Sequence, residues 1–137
     1  MLNRYSLSTG AVLLLAASQA SAVSPAEFLQ QFQTEARQTD PAFSGFSSDR
    51  GEQFFKATHG SEWSCASCHT ANPLRPGEHA RTGKHIDPLA PAINPERFTS
   101  ARQVEKWYRR NCNDVLGREC TALEKGDVLT YLLSLKL

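Results

Sequence analysis

Residues 65–69 read Cys65-Ala66-Ser67-Cys68-His69, and a C-x-x-C-H run is the attachment signature of c-type haem. Each residue type has a use. Two thiols can close thioether bonds onto the vinyl groups of a porphyrin, and the adjacent imidazole can reach the iron. The two-residue spacer sets the thiols one turn apart, so both can catch one ring. Iron held by a histidine on one side takes its behaviour from whatever stands opposite. Two other chemistries use a C-x-x-C pair. Zinc asks for a second such pair or an H-x₃₋₅-H, and the remaining cysteines, Cys112 and Cys120, are too far apart to form the first pattern. A redox dithiol opens a helix inside a βαβ pattern, and no strand-like run surrounds residues 65–69.

Outward from this run, 137 residues allow one small domain. The chain starts like an export signal. Arg4 supplies the charge, residues 11–17 are an apolar core, and Ala20-Ser21-Ala22 is a cleavage box. That core is far shorter than the roughly 20 residues needed to span a bilayer. The expected organisation is a signal peptide at 1–22 cleaved after Ala22, an N-terminal helix and linker at 23–44, and a haem-bearing domain at 45–137. Without Arg4, the 15 basic residues become 14 and equal the 14 acidic ones. Such a balance argues against nucleic acid and against a polybasic membrane contact. Export also suits the cysteines: two become thioethers, and the leftover pair can persist as a disulfide in an oxidising compartment. A bacterial periplasm meets both needs.

Ser24-Pro25-Ala26-Glu27 carries a cap, a first-turn proline and a capping-box glutamate. Phe28, Phe32 and Ala36 follow at helical spacing, which predicts an amphipathic helix over 25–37. Asp49 can cap a second helix with Gly51, Phe54 and Phe55 turned inward, ending near residues 58–60. Prolines 73, 76, 88, 91 and 95 forbid long helices from Thr70 to Thr99. Such a segment can wrap a ring edge, where Arg75, Arg81, Thr82 and Lys84 read either as propionate donors or as solvated loop side chains. Ser100 and Gln103 predict a capping box for a third helix with a buried stripe of Val104, Trp107 and Tyr108. It is expected to break in the turn-rich run Arg110-Asn111-Cys112-Asn113-Asp114. Thr121 and Glu124 cap a last helix with Val128, Leu129, Tyr131, Leu132 and Leu135 inward. Four helices and no strand make an all-α domain.

The group facing His69 across the iron is the next question. The chain has one methionine, Met1, and it leaves with the signal peptide, which excludes the His/Met arrangement of ordinary electron-transfer cytochromes. His59, His79, His85, Lys84, Asn94, Asn111 and Asn113 remain. His59 stands too near the attachment run to reach the far side, and Asn94 before a proline reads as turn chemistry. His79 or His85 would give a bis-histidine electron carrier. Asn111 and Asn113 flank Cys112, which can pair with Cys120 around Gly117 and stabilise the fold by about 2.5 kcal/mol. A weak amide ligand needs such a rigid scaffold. The same asparagines read equally well as helix-cap and turn residues.

Several stretches carry a resemblance: Arg81-Thr82-Gly83-Lys84, Pro88-Leu89-Ala90-Pro91, Pro95, Arg97-Phe98, Val104-Glu105-Lys106-Trp107 and Arg110-Asn111-Cys112-Asn113. Over residues 45–137 the chain resembles the sphaeroides haem protein family, high-spin class I c-type cytochromes related to a domain of unknown function. The Gly51/aromatic helix ahead of Cys65 likewise resembles the N-terminal helix of class I cytochromes c. The resemblance implies a class I cytochrome c fold around one covalent haem c, with the helix at 25–37 as an addition. It implies Asn111 as distal ligand and a Cys112–Cys120 disulfide. A hard amide oxygen suits ferric better than ferrous iron. The implied function is therefore uptake of an electron, release of Asn111 and binding of a diatomic gas such as oxygen or nitric oxide. Oxidoreductase turnover of such a gas would want an acid or base above the iron, and no residue offers itself. Implied partners are a di-haem cytochrome c and a membrane b-type cytochrome. Arg102, Lys106, Arg109, Arg110 and Arg118 can dock such a protein, although Glu105, Asp114 and Glu119 are interspersed.

Overall fold

In the computed structural model, residues 23–137 are described. The export signal and its cleavage after Ala22 lie outside the described residues. Helix α1 spans Pro25–Thr39, two residues longer than expected, and its start follows from local chemistry. The Ser24 hydroxyl accepts the Glu27 N–H at 3.3 Å, while the Glu27 carboxylate accepts the Ser24 N–H at 2.6 Å. Those two bonds satisfy donors that a helix start otherwise leaves bare. Phe28, Phe32 and Ala36 recur every four residues and are all buried, so α1 lays one stripe onto the last helix.

Helix α2 (Ser48–Lys56) is capped by Ser47, whose hydroxyl accepts the Arg50 N–H at 3.2 Å. This corrects the expected Asp49 cap: Asp49 lies two residues further in, within the first turn, where a carboxylate still complements the helix dipole. Helix α3 is the single turn Cys65–His69. Strands β1 (Gly77–Glu78) and β2 (His85–Ile86) pair antiparallel, Gly77 opposite Ile86 and Glu78 opposite His85. Helices α4 (Ala101–Leu116) and α5 (Ala122–Ser134) complete the chain. The described residues thus form five helices and one two-residue ladder instead of four helices alone. The all-α class holds.

Helix α4 departs from expectation in three ways. Ser100 makes no side-chain cap, and the Gln103 amide oxygen, the other half of the expected box, instead accepts the Trp107 indole N–H at 3.2 Å. Trp107 is 45% exposed, and the buried stripe is Val104, Cys112 and Val115. Residues 110–114 continue the helix to a left-handed cap at Gly117, φ 69°. Burial of Cys112 and Val115 outweighs the weak helix propensity of the Asn111-Cys112-Asn113-Asp114 run.

Helix α5 is the spine. Leu129 and Leu132 are wholly buried. Leu129 joins Phe28, Phe32 and Val104 on one side, while Leu132 joins Phe55, Val128 and Tyr131 on the other. Helix α2 crosses α5 so closely that a Cβ on Gly51 would run into the Asp127 carbonyl, and only glycine allows that approach. Buried Asp127 locks the crossing. Its carboxylate accepts Arg50 Nε at 2.7 Å, Arg50 Nη2 at 2.9 Å and the Ser47 N–H at 2.7 Å.

Candidate functional site

The attachment run is held as a rigid turn. Ser64 and Ser67 form a reciprocal box, the Ser67 N–H reaching the Ser64 hydroxyl at 3.2 Å and the Ser64 N–H reaching the Ser67 hydroxyl at 3.0 Å. Three residues apart on one helical turn, Cys65 and Cys68 share a face, and both are free thiols. The turn ends at Thr70 with φ 61°, an uncommon conformation for a threonine. Strand β1 then passes so near that a Cβ on Gly77 would strike the Cys68 carbonyl. The hairpin also touches a thiol, since the Ala80 N–H donates to Cys68 Sγ at 3.3 Å.

The surroundings change the chemistry of two side chains. Burial pushes the Cys65 thiol up to about 11, with the nearby Cys68 adding to the effect. Burial also pulls His69 down to about 4, helped by the charge of Arg97. His69 is therefore a neutral imidazole at pH 7, and its buried Nδ1 has no hydrogen-bond partner among the described residues. Arg97 is fixed in the proline-rich segment, donating to the Pro88 carbonyl at 3.1 Å and the Asp87 carbonyl at 2.8 Å. That segment also folds onto buried Pro73, whose carbonyl accepts the Leu89 and Ala90 N–H groups, both at 3.1 Å. Two free thiols on one face and a neutral, under-partnered imidazole fit the needs of a covalently attached haem.

The other expected ligands fall in different settings. His59 Nε2 lies 2.8 Å from the Phe54 carbonyl, on a residue with φ 52°. His79 opens the hairpin loop, and its Nδ1 accepts the Arg81 N–H at 3.2 Å. His85 is exposed beside Asp87 at 3.3 Å. Asn94 donates to the Pro88 carbonyl. Asn113 is exposed, and its carbonyl accepts the Gly117 N–H at the helix end. Asn111 is half-buried on α4, with no hydrogen bond to its side-chain amide among the described residues. Next to it, Cys112 and Cys120 are joined as a disulfide, both buried. The suggested propionate donors Arg75, Arg81, Thr82 and Lys84 are all exposed, and Arg81 stacks over Trp63 at 4.8 Å.

Two further links bear on α4, one from Tyr108, expected in its buried stripe, and one from Ser61, which sequence reasoning missed. The Tyr108 hydroxyl donates to the Lys125 carbonyl at 3.0 Å, and its burial raises the pKa of the phenol far above the ordinary range. The Ser61 hydroxyl stands 2.8 Å from the Val115 carbonyl, which shares its single proton with the carbonyls of Thr58 and Trp63, and so links the approach to α3 with the last turn of α4. No pattern marks Ser61, since a serine after a glycine reads as any loop. With the disulfide, these ties grip α4 on both sides of Asn111, whereas α2 and α5 meet backbone to backbone.

Comparison with known proteins joins these features. The family described as domain of unknown function DUF1924 matches residues 41–132. Cytochrome c'' of Methylophilus methylotrophus is 37% identical over 127 residues, covering 90% of this chain and 88% of that protein. The cytochrome c-type protein SHP of Cereibacter sphaeroides is 55% identical over 69 residues, 50% of this chain and 53% of that protein. Oxidised SHP, described as an oxygen-binding cytochrome c, superposes with a TM-score of 0.74 at 39% identity, over 84% of this chain and 100% of its own. The solution structure of cytochrome c'', which addresses haem-ligand detachment, superposes at 0.71 and 37% identity, over 82% of this chain and 94% of its own. The chain belongs to the sphaeroides haem protein family of c-type cytochromes, within DUF1924, and carries one covalently bound haem c.

Proposed function

We propose that this protein is an exported, periplasmic cytochrome that accepts one electron and then binds a diatomic gas in the position given up by Asn111. Cys65 and Cys68 supply the thioether sulfurs, and His69 supplies the permanent ligand. When bound, the haem supplies a one-electron couple and a coordination position open to a small gas. Oxygen and nitric oxide are the gases in view, and the electron comes from partner cytochromes, a di-haem cytochrome c and a membrane b-type cytochrome.

The observation that carries this reading is the state of Asn111. Its half-buried amide has no hydrogen bond among the described residues, while the helix turn around it is stapled and tied. A neutral amide oxygen is a hard donor and prefers the ferric ion. With a haem in place, reduction would weaken that preference. The Asn111 side chain, free of other hydrogen bonds among the described residues, could then turn away and offer its NH₂ as a donor to a bound gas. The relatives support both halves: SHP is described as oxygen-binding, and cytochrome c'' as a protein whose haem ligand detaches. The bis-histidine alternative draws little support, because His79 has a ring nitrogen engaged within the hairpin and His85 lies exposed beside Asp87.

Asn111→Ala tests the assignment. The ferric variant is expected to become five-coordinate or water-ligated, seen as a shift in its visible absorption and resonance Raman spectra. Carbon monoxide still binds the ferrous form. A ferric spectrum identical to that of the unaltered protein overturns the role given to Asn111.

A further inference from the structure

Trp107 stands 45% exposed on α4, an uncommon place for so large an apolar ring. Lys106 Nζ and Arg110 Cζ lie 5.1 and 5.4 Å from its ring centroid, and two cations against one indole hold it open toward solvent. The outward residues of α4 are Arg102, Lys106, Arg109 and Arg110 against Glu105 and Asp114. None of those four cations has an ion-pair partner among the described residues. Along α4 the exposed charges thus sum to a local positive surplus of two. A local surplus of that sign steers an approaching acidic protein and speeds encounter. Trp and Arg are also the side chains that most often anchor interfaces. Asn111 follows Trp107 by four residues and so lies along the same edge of the helix.

We propose that the Trp107 patch of α4, with Lys106 and Arg110, is the docking surface for an acidic electron-donor protein. This rests on the reading that the iron receives its electron from another protein. A second copy of the chain would set like charges against each other. A membrane-surface helix needs a broad apolar face, and among the described residues Trp107 is the one large exposed apolar side chain of α4.

The test uses ferric holoprotein in stopped flow, with reduced flavodoxin as an acidic protein donor and dithionite as a small one. Lys106→Glu/Arg110→Glu is expected to slow reduction by flavodoxin about 10-fold at low salt, and Trp107→Ala about 3-fold, with a flatter salt dependence for the charge variant. Dithionite, a small anion, feels the charge change less. Its rate falls by less than about 3-fold in the charge variant and stays unchanged in Trp107→Ala, and ferric spectra stay unchanged. The charge-matched control Arg37→Glu/Lys136→Glu, both exposed and outside α4, changes the flavodoxin rate by less than about 2-fold. Equal flavodoxin rates in all variants, or an equal drop in the control, overturn the site. Trp107-dependent sedimentation with phosphatidylglycerol vesicles, with flavodoxin rates unaltered, overturns it in favour of a lipid surface. Unaltered protein that dithionite reduces and flavodoxin does not also overturns the site. Failure with both reductants overturns the electron-accepting reading instead.

Discussion

Cutting the Cys112–Cys120 staple separates its two effects. Both sulfurs are buried, at 4% and 8% exposure, so alanine is the replacement that brings no unsatisfied hydroxyl inside. The bridged residues are 8 apart. Closing a loop of that length removes about 8 cal/mol/K from the unfolded chain, so Cys112→Ala/Cys120→Ala is expected to lose about 2.5 kcal/mol at 25 °C. That is about 70-fold in the folding equilibrium, and about 10 °C in thermal midpoint for a chain of this length. Guanidinium unfolding of the ferric holoprotein, followed by far-UV circular dichroism, reads the loss. The staple also grips α4 one residue after Asn111. With it gone, the turn is held by the Tyr108–Lys125 and Ser61–Val115 hydrogen bonds, and the ferric absorption spectrum is expected to move toward that of Asn111→Ala. An unchanged denaturation midpoint refutes the entropic reasoning. A lowered midpoint with an identical ferric spectrum refutes the claim that the staple positions Asn111.

Two other substitutions probe the scaffold. Gly51→Ala puts a methyl into the Asp127 carbonyl and 2.9 Å from Tyr131 Cβ; it should cost about 3 kcal/mol in thermal unfolding. An open helix site would instead gain up to about 1 kcal/mol from the same change, so a stabilised variant would sink the α2–α5 crossing. Glu124→Gln keeps the capping geometry at Thr121 but removes the charge that Arg118 binds at 2.7 and 2.9 Å. The Arg118 hydrogen bond, joined by the Thr121 N–H, holds the Glu124 carboxyl below its ordinary value. Its stabilisation is thus present above about pH 4.5 and is lost as pH falls through the lower folded value. The two proteins should differ in urea midpoint at pH 7 and converge at strongly acid pH; a gap that ignores pH would contradict the ion pair.

The attachment run was legible because covalent chemistry demands a fixed spacing, and the α1 and α5 starts because a capping box is local. The far end of α4 was not, since Asn111-Cys112-Asn113-Asp114 reads as a turn until burial of Cys112 and Val115 is known. Trp107 was misplaced for a related reason. Val104, Trp107 and Tyr108 fit one stripe over a single turn; adding Cys112 and Val115 rotates that stripe away from Trp107. The β1–β2 ladder escaped notice because two-residue strands carry no alternation. Ser61 had no sequence signal at all, its role being a contact 54 residues distant.

The two sides of the site are held by different physics. On the attachment side, the capped turn α3 sits hard against β1 at Gly77, so the geometry comes from nearby backbone. On the Asn111 side, α4 is fixed by individual links at Tyr108, Cys112 and Val115, spanning 17, 8 and 54 residues. A weak ligand cannot fix its own position, so the scaffold must do so. Links on both sides of Asn111 also mean that the release proposed for it would need no helix to move. A rotation of one asparagine side chain costs far less than the displacement of a sixteen-residue helix, because the buried stripe of Val104, Cys112 and Val115 stays packed throughout. The same pinning keeps the Trp107 edge stationary, so a docked electron donor would meet one surface before and after the proposed release.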